Sequence, residues 1–233
     1  MTAPRIRQPN WHAFPDNDTL QKAVLDTLHL QAQQAIQARG RFDLVLAGGS
    51  TPQAIYRQCR QLATDWSRWH IYFGDERCLP PEHPDRNSRM ALDAWLDHVP
   101  IPPSQIHAIP AERGANAAAQ ACADTLRTVG DFDLVLLGLG EDGHTASLFP
   151  GHAWGETPEA PDALAVFDAP KPPPERVSLS AHRLSRASKV VFVVTGAGKR
   201  DAIAAWRSGQ PIPASAISPP GAVDVFCEAS LLA

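Results

Sequence analysis

The chain has 233 residues, of which 44% are hydrophobic and 20% are charged, and its formal net charge is −4. This length suits one α/β domain with a substantial buried core, so residues 1–233 are expected to form a single domain. The lack of a basic excess argues against nucleic-acid and membrane partners, and any anionic ligand must be held by local charges. Residues 1–14 contain no apolar signal core, and no apolar run spans a bilayer, which predicts a cytoplasmic protein.

The spacing of cysteines and histidines gives little support for a metal site. The four cysteines are scattered without a CxxC pair, which favours reduced structural thiols over a zinc knuckle or a disulfide framework. The nine histidines include no HxxxH or HExxH pair. No metal is therefore predicted, although Asp142 and His144 carry side chains that can bind one.

Helical and strand patterns alternate along the chain. Helices are predicted over 18–39, with Gly40 as the stop, and over 52–63, 87–98 and 115–128. Dense β-branched and leucine-rich runs predict buried strands over 42–49, 70–76, 132–140 and 189–196, and additional or edge strands over 177–180 and 223–228. This alternation predicts an α/β fold, a three-layer αβα arrangement around a mainly parallel, Rossmann-like sheet.

Residues 150–176 are rich in proline and acidic residues and are too irregular for a crossover helix. A loop of this length in a compact domain is commonly functional or mobile. It is predicted to be a surface excursion near the mouth of a ligand site.

Glycine-containing polar segments follow the predicted strands, and in parallel sheets ligands bind at these carboxyl ends. In Gly48-Gly49-Ser50-Thr51-Pro52, the glycines permit a tight turn and Ser50 or Thr51 is expected to cap the next helix. Such a helix N-terminus favours phosphate, with Lys199 as the compensating cation. An ordinary strand-to-helix turn and a solvated lysine explain the same residues equally well.

Asp75, Glu76 and Arg77 follow the second strand. A surface ion pair is the simpler interpretation. At the ligand edge of the sheet, however, Arg77 can clamp a phosphate or stabilise developing oxyanion charge.

The run GLGEDGHT (138–145) contains the spacing G-x-G-x-x-G of dinucleotide-binding loops. Only six residues separate Gly143 from Pro150, too few for the long helix that the motif requires, and Glu141 and Asp142 place negative charge where a pyrophosphate would lie. The glycines are better explained by a sharp turn that exposes His144. Its imidazole suits a general base, and Asp142 lies close enough in sequence to orient it, although a hydrogen bond to a loop carbonyl is an equally good explanation of the motif alone.

Five segments in this order carry a resemblance that covers nearly the whole chain. They are LAGGSTPQAIY (46–56), WHIYFGDERCLPPEHPDRNSRMA (69–91), FDLVLLGLGEDGHTASLFPG (132–151), ERVSLS (175–180) and VVFVVTGAGKR (190–200). Together they resemble the 6-phosphogluconolactonase family, which is related in fold to glucosamine-6-phosphate deaminases and sugar-phosphate isomerases.

The resemblance implies hydrolysis of 6-phospho-D-glucono-1,5-lactone to 6-phosphogluconate in the oxidative pentose phosphate pathway, without a cofactor. The implied partner is a small phosphosugar lactone, with neither nucleic acid nor membrane, and a monomer or weak homo-oligomer is expected. His144 would activate water, aided by Asp142. The implied phosphate-binding residues are Gly48, Gly49, Ser50, Thr51, Arg176 and Lys199. Arg77 would contact the substrate or its developing charge, and Asp75 aligns with a proton-transfer aspartate of the deaminases.

Two departures from the related patterns bear on function. The deaminases resemble DGHIAFNEP and use its glutamate, where this chain has Phe149 in DGHTASLFP. The DRN at 85–87 differs from the lactonase pattern and leaves a role for Asn87 open.

Three alternative functions remain. They are a phosphosugar deaminase or isomerase, which Phe149 disfavours, a non-catalytic sugar-phosphate sensor, and a metal hydrolase using Asp142, His144 and Asp75.

Overall fold

The computed structural model describes residues 8–233. The prediction that residues 1–14 contain no apolar signal core therefore falls partly, over residues 1–7, outside the described residues. The strands are β1 (Asn10–Phe14), β2 (Phe42–Leu46), β3 (Trp69–Phe73), β4 (Asp75–Arg77), β5 (Ile106–His107), β6 (Phe132–Leu137), β7 (Ala163–Val166), β8 (Arg176–Leu179), β9 (Ala187–Val194) and β10 (Val223–Glu228). The helices are α1 (Asn17–Arg39), α2 (Ser50–Cys59), α3 (Asn87–Ala94), α4 (Ala115–Leu126), α5 (Ala181–Ser185) and α6 (Arg200–Arg207).

Seven strands form one sheet in the order β1-β10-β9-β6-β2-β3-β5, and every neighbouring pair is parallel. Helices lie on both sides of this sheet, which confirms the predicted α/β fold. All side chains of β2 and β6 are buried, as expected for strands covered on both faces. Among residues 8–233, no helix is both long enough and apolar enough to cross a membrane.

The direction of strand addition reverses at β2. From β2 the chain adds β3 and β5 on one side, and it then places β6, β9 and β10 on the other side. The loops that leave β2 and β6 therefore diverge and open a crevice at the carboxyl edge of the sheet. In open parallel sheets this switch point is where ligands bind.

A second, antiparallel sheet of order β4-β8-β7 lies beside the first and corrects two predictions. The strand predicted over 70–76 is split at Gly74 into β3 and β4. The Gly74 N–H donates to the Leu46 carbonyl, and the Gly74 carbonyl accepts from the Leu179 N–H. The chain passes from the first sheet to the second at this residue. The segment 150–176 is not wholly irregular, because it contains β7, which pairs with β8 at the end of the segment. The strand predicted over 223–228 is present as β10, which lies inside the sheet between β1 and β9.

The predicted helices are present with shifted ends. Asp16 caps α1 by accepting a hydrogen bond from the Thr19 amide at 2.8 Å, and Gly40 ends it in the left-handed conformation at φ 75°. The helix predicted over 87–98 ends at Ala94, because Trp95 adopts an extended φ of −151°. The short strands β1 and β5 have no counterpart in the sequence-based prediction.

A stack of three rings lies where β3 pairs with β5. The ring of His107 lies 4.5 Å from that of Tyr72 and 5.6 Å from that of His70, and both pairs are within about 11° of parallel. Burial lowers the pKa of both histidines, and the positive charge of Arg41 lowers it further, against the opposing effect of Asp43. Both imidazoles therefore resist protonation in the folded protein.

Replacing one of these histidines with a ring that does not titrate should reduce the sensitivity of the fold to acid. The folded-state pKa of each histidine lies below the ordinary value of 6.5, so folding favours the neutral imidazole. This contribution to the free energy of unfolding is present above pH 6.5 and is lost as the pH falls through the folded-state pKa. We expect His107→Phe to lose less free energy of unfolding than the wild type between about pH 7 and about pH 5 in urea titrations. An equal loss in both proteins would contradict this assignment.

Candidate active site

A cavity of about 600 Å³ occupies the crevice at the carboxyl edge of the parallel sheet. Its walls come from the segments that follow β2, β3, β6 and β9, together with the end of the 150–176 loop. All the candidate residues except Asp142 line it, namely Gly48, Gly49, Ser50, Thr51, Asp75, Arg77, His144, Arg176 and Lys199. The fold thus brings segments that are distant in sequence to one site.

The glycines after β6 shape the loop that carries His144. A Cβ atom on Gly140 would lie 1.9 Å from His144 Nδ1 and 2.6 Å from an Asp142 carboxylate oxygen, so no side chain fits there. Gly143 has φ 83° and its Cβ position would lie 2.8 Å from Ile212. No helix follows β6 before β7 within the described chain, which agrees with a sharp turn and not with a dinucleotide-binding loop.

His144 and Asp142 form the pair that the sequence suggested. The imidazole Nδ1 and the Asp142 Oδ1 are 2.5 Å apart, and the same oxygen accepts the His144 backbone N–H at 3.2 Å. Burial raises the pKa of Asp142, but the hydrogen bonds and charge of His144 outweigh burial and leave this pKa below its ordinary value. An ionised Asp142 favours the tautomer with the proton on Nδ1, which leaves Nε2 as a proton acceptor.

The segment after β2 leads directly into α2. Gly49 is the N-cap residue, with φ 109°, and no side chain caps the helix, which corrects the prediction that Ser50 or Thr51 does so. The first amides of α2 are therefore left at the cavity wall, where an anion is favoured. The hydroxyl of Thr51 instead lies 2.7 Å from that of Thr195, which joins the first turn of α2 to the residue that follows β9.

Lys199 brings a cation to the same cavity. Burial lowers the pKa of its ammonium group, and Lys171 lowers it further, whereas Glu141 and Asp142 act in the opposite direction. Across residues 8–233 its Nζ makes neither a hydrogen bond nor an ion pair. A bound anion would offset the burial of this charge.

Two arginines stand opposite each other on neighbouring strands. Arg77 of β4 pairs in register with Arg176 of β8, an unfavourable position for two like charges. Arg176 is only 5% exposed, and burial followed by the charge of Arg77 lowers its pKa, against the opposing charge of Asp75. Two of its guanidinium nitrogens donate to carbonyls of residues 171–173. An anionic ligand would relieve this repulsion.

The cavity wall also contains residues that the sequence did not identify. Asn87, whose role was left open, donates from Nδ2 to the carboxylate of Asp75 at 2.9 Å, and its side chain fills the space beside Gly48. Lys171 and Pro172 line the cavity and agree with the predicted position of the 150–176 loop. The ring of Phe149, 1% exposed, lies 4.8 Å from that of His144.

Glu76 lies in the interior of the protein, so it does not take part in the surface ion pair that the sequence suggested. It is fully buried, and its carboxylate accepts the backbone amides of Asn87 and Ser88 at the start of α3. This is capping of a helix N-terminus by a carboxylate.

Within the described part of the chain, no three His, Cys, Asp or Glu side chains are grouped as metal ligands.

Residues 15–226 match the family described as glucosamine-6-phosphate isomerases/6-phosphogluconolactonase. The chain belongs to this family. A 6-phosphogluconolactonase from Mycobacterium leprae (strain TN) is 38% identical over 213 residues, 85% of each chain. One from Nostoc sp. (strain PCC 7120 / SAG 25.82 / UTEX 2576) is 39% identical over 200 residues, 82% of each chain.

The fold is shared with solved members of the family. The crystal structure of a 6-phosphogluconolactonase from Thermotoga maritima superposes with a TM-score of 0.86, covering 94% of this chain and 99% of that chain. At 22% identity this likeness concerns the fold alone. The resemblance to the family and the predicted architecture are both confirmed.

The Lys199 ammonium group at the cavity wall predicts binding of inorganic phosphate. We expect phosphate to raise the Tm of the wild type, and Lys199→Ala to bind it about tenfold more weakly, a loss of about 1.4 kcal/mol. Lys22→Ala, which removes an exposed lysine paired with Asp26, is the control and should behave as the wild type. The same dependence of Tm on phosphate in both variants would remove Lys199 from the anion site.

Proposed function

We propose that this chain is a 6-phosphogluconolactonase, which hydrolyses 6-phospho-D-glucono-1,5-lactone to 6-phosphogluconate in the oxidative pentose phosphate pathway. The observation that carries the proposal is a histidine, held at Nδ1 by a carboxylate, that lines the same cavity as a helix N-terminus and the cations Arg77, Arg176 and Lys199. Membership of the family and the names of the curated relatives support it.

His144 is proposed as the general base. Its Nε2 takes a proton from a water molecule, whose oxygen attacks the C1 carbonyl of the lactone and forms a tetrahedral oxyanion. When the bond between C1 and the ring oxygen breaks, the imidazolium returns the proton to that oxygen, which leaves as a hydroxyl group. Asp142 keeps the ring in the required tautomer and stabilises its protonated form.

The phosphate group supplies the binding energy that positions the ester. We assign it to the amides and hydroxyls of Gly48, Gly49, Ser50 and Thr51, with the side chains of Lys199 and Arg176. Arg77 is assigned to the substrate or to the oxyanion, because its guanidinium lines the same cavity. A phosphate held at a distance from the reacting carbon fixes the substrate without taking part in the chemistry. No step of this hydrolysis requires a cofactor.

The two rival functions fit the site less well. Ring opening by a deaminase or isomerase uses an acid where this chain has Phe149, a buried side chain that transfers no proton. A sugar-phosphate sensor needs the anion-binding groups but has no use for an imidazole oriented by a carboxylate at the same cavity.

We also propose that residues 1–233 act as one lactonase domain in the cytoplasm. The expected partner is the phosphosugar lactone, with neither nucleic acid nor membrane. A monomer or weak homo-oligomer is expected. Packing of both sheets into one hydrophobic core supports the single domain.

Acid release from freshly made 6-phosphogluconolactone tests the function, because the lactone also hydrolyses without an enzyme. The wild type should exceed the uncatalysed blank, and His144→Ala should lower kcat by about 10²- to 10⁴-fold with little change in KM. His98→Ala removes an exposed histidine that does not line the cavity and should retain wild-type turnover.

Near-normal turnover in His144→Ala would refute the assignment of the base. Incubation with glucosamine 6-phosphate separates the main alternative. Release of ammonia by the wild type, with no lactone hydrolysis above the blank, would replace the proposed function with a deaminase.

A further inference from the structure

Ser147 is a buried side chain in the loop that carries His144. It is 1% exposed and follows His144 by three residues. Its Oγ donates to Asp75 Oδ2 at 2.6 Å, and its backbone N–H donates to the Ser178 hydroxyl at 3.2 Å. A single residue thus ties the loop after β6 to two strands of the second sheet.

The two partners of Ser147 belong to one rung of the β4 and β8 ladder. Asp75 and Ser178 are directly opposite in register, and two residues further along the same strands Arg77 stands opposite Arg176. The contacts of Ser147 therefore connect the loop of the proposed base to the strands that carry both arginines. Sub-ångström changes in such a connection alter the distance between base and cations.

Both oxygens of the Asp75 carboxylate accept a hydrogen bond from a neighbouring side chain. One oxygen accepts from Ser147 and the other accepts from Asn87 Nδ2 at 2.9 Å, and the residue is only 6% exposed. Asn87 also donates to the Asp75 backbone carbonyl at 2.9 Å. Both donors hold the carboxylate in a fixed orientation, which leaves it poorly placed to exchange a proton with a ligand.

We infer that Ser147 is a positioning residue, which fastens the His144 loop to Asp75 and Ser178 and so sets the base against the Arg77 and Arg176 pair. In this arrangement Asp75 is a fixed hydrogen-bond acceptor and transfers no proton during the reaction. The inference rests on the proposed lactone hydrolysis and assigns Asp75 a different role from the proton-transfer aspartate of the deaminases.

Ser147→Ala tests the inference by steady-state hydrolysis of 6-phosphogluconolactone. Because the loop loses its link to Asp75, we expect kcat to fall by about tenfold or more, whereas KM stays within about twofold since the phosphate-binding groups are untouched. The matched control is Ser88→Ala. Ser88 is also buried and donates from Oγ to a buried carboxylate, that of Glu76, at the same distance of 2.6 Å, but it does not touch the His144 loop.

The control separates a positioning role from a general loss of stability. Both variants should show a similar decrease in Tm, because each loses one buried hydrogen bond, and Ser88→Ala should keep the wild-type kcat. A kcat within about twofold of the wild type in Ser147→Ala would overturn the inference. An equal decrease of kcat in both variants would also overturn it.

Asp75→Asn tests the second half of the inference and decides the matter if Ser147→Ala does not fold. An asparagine can accept from Asn87 through its oxygen and donate to the Ser147 hydroxyl through its nitrogen, so a positioning role predicts a loss of kcat below about tenfold. A proton-transfer role predicts a loss of about 10²-fold or more, which would overturn the inference.

Failure of the proposed function gives a different result. It would be seen in the wild type itself, which would release acid no faster than the blank. Failure of the Ser147 inference is seen only in the variants, against an active wild type.

Discussion

The hydrogen bond between the His144 imidazole and the Asp142 carboxylate is the interaction on which the proposed chemistry depends. It selects the tautomer that leaves Nε2 free to accept a proton, and it can form only because Gly140 has no side chain in the space that both groups occupy. Gly143, packed against Ile212 at a positive φ, fixes the turn between them. The glycines of this loop are therefore explained by the position of a histidine and not by the approach of a nucleotide.

The second constraint is electrostatic. The carboxyl edge of the sheet gathers Lys199, Arg77 and Arg176 around one cavity, and the fold gives two of them a like-charge neighbour across a strand pair. Such an arrangement is unfavourable in the free protein and becomes favourable when a phosphate occupies the cavity. The amino edge has the opposite character, because Arg41 and Asp43 neutralise each other beside the stacked rings of β3 and β5. The proposed site thus lies at the edge where Lys199, Arg77 and Arg176 form no ion pair with any acidic residue in the described part of the chain.

The parts of the fold and of the candidate site that can be predicted are those whose sequence pattern lies within one short segment of the chain. The buried strands β2 and β6 and the helix α1 follow from apolar patterning and caps, and the parallel arrangement of the strands follows from their alternation with helices. The second sheet could not be foreseen, since β4 is three residues long and its partners β7 and β8 are remote in sequence. The same holds for the contacts of Ser147 and Asn87, polar residues that are distant in sequence and both donate a hydrogen bond to the Asp75 carboxylate. Candidate residues next to glycine turns can be named from the sequence, whereas a residue such as Ser147, which contacts them only in the folded protein, cannot.

A crystal structure of the enzyme with 6-phosphogluconate bound is the most direct measurement of the central claim, that one cavity holds the phosphate and the reacting carbon at separate groups. The account predicts the phosphate at the first amides of α2 near Lys199, and the C1 carboxylate within hydrogen-bond distance of His144 Nε2. A product bound in the reverse direction, or with its carboxylate remote from the imidazole, would contradict the account.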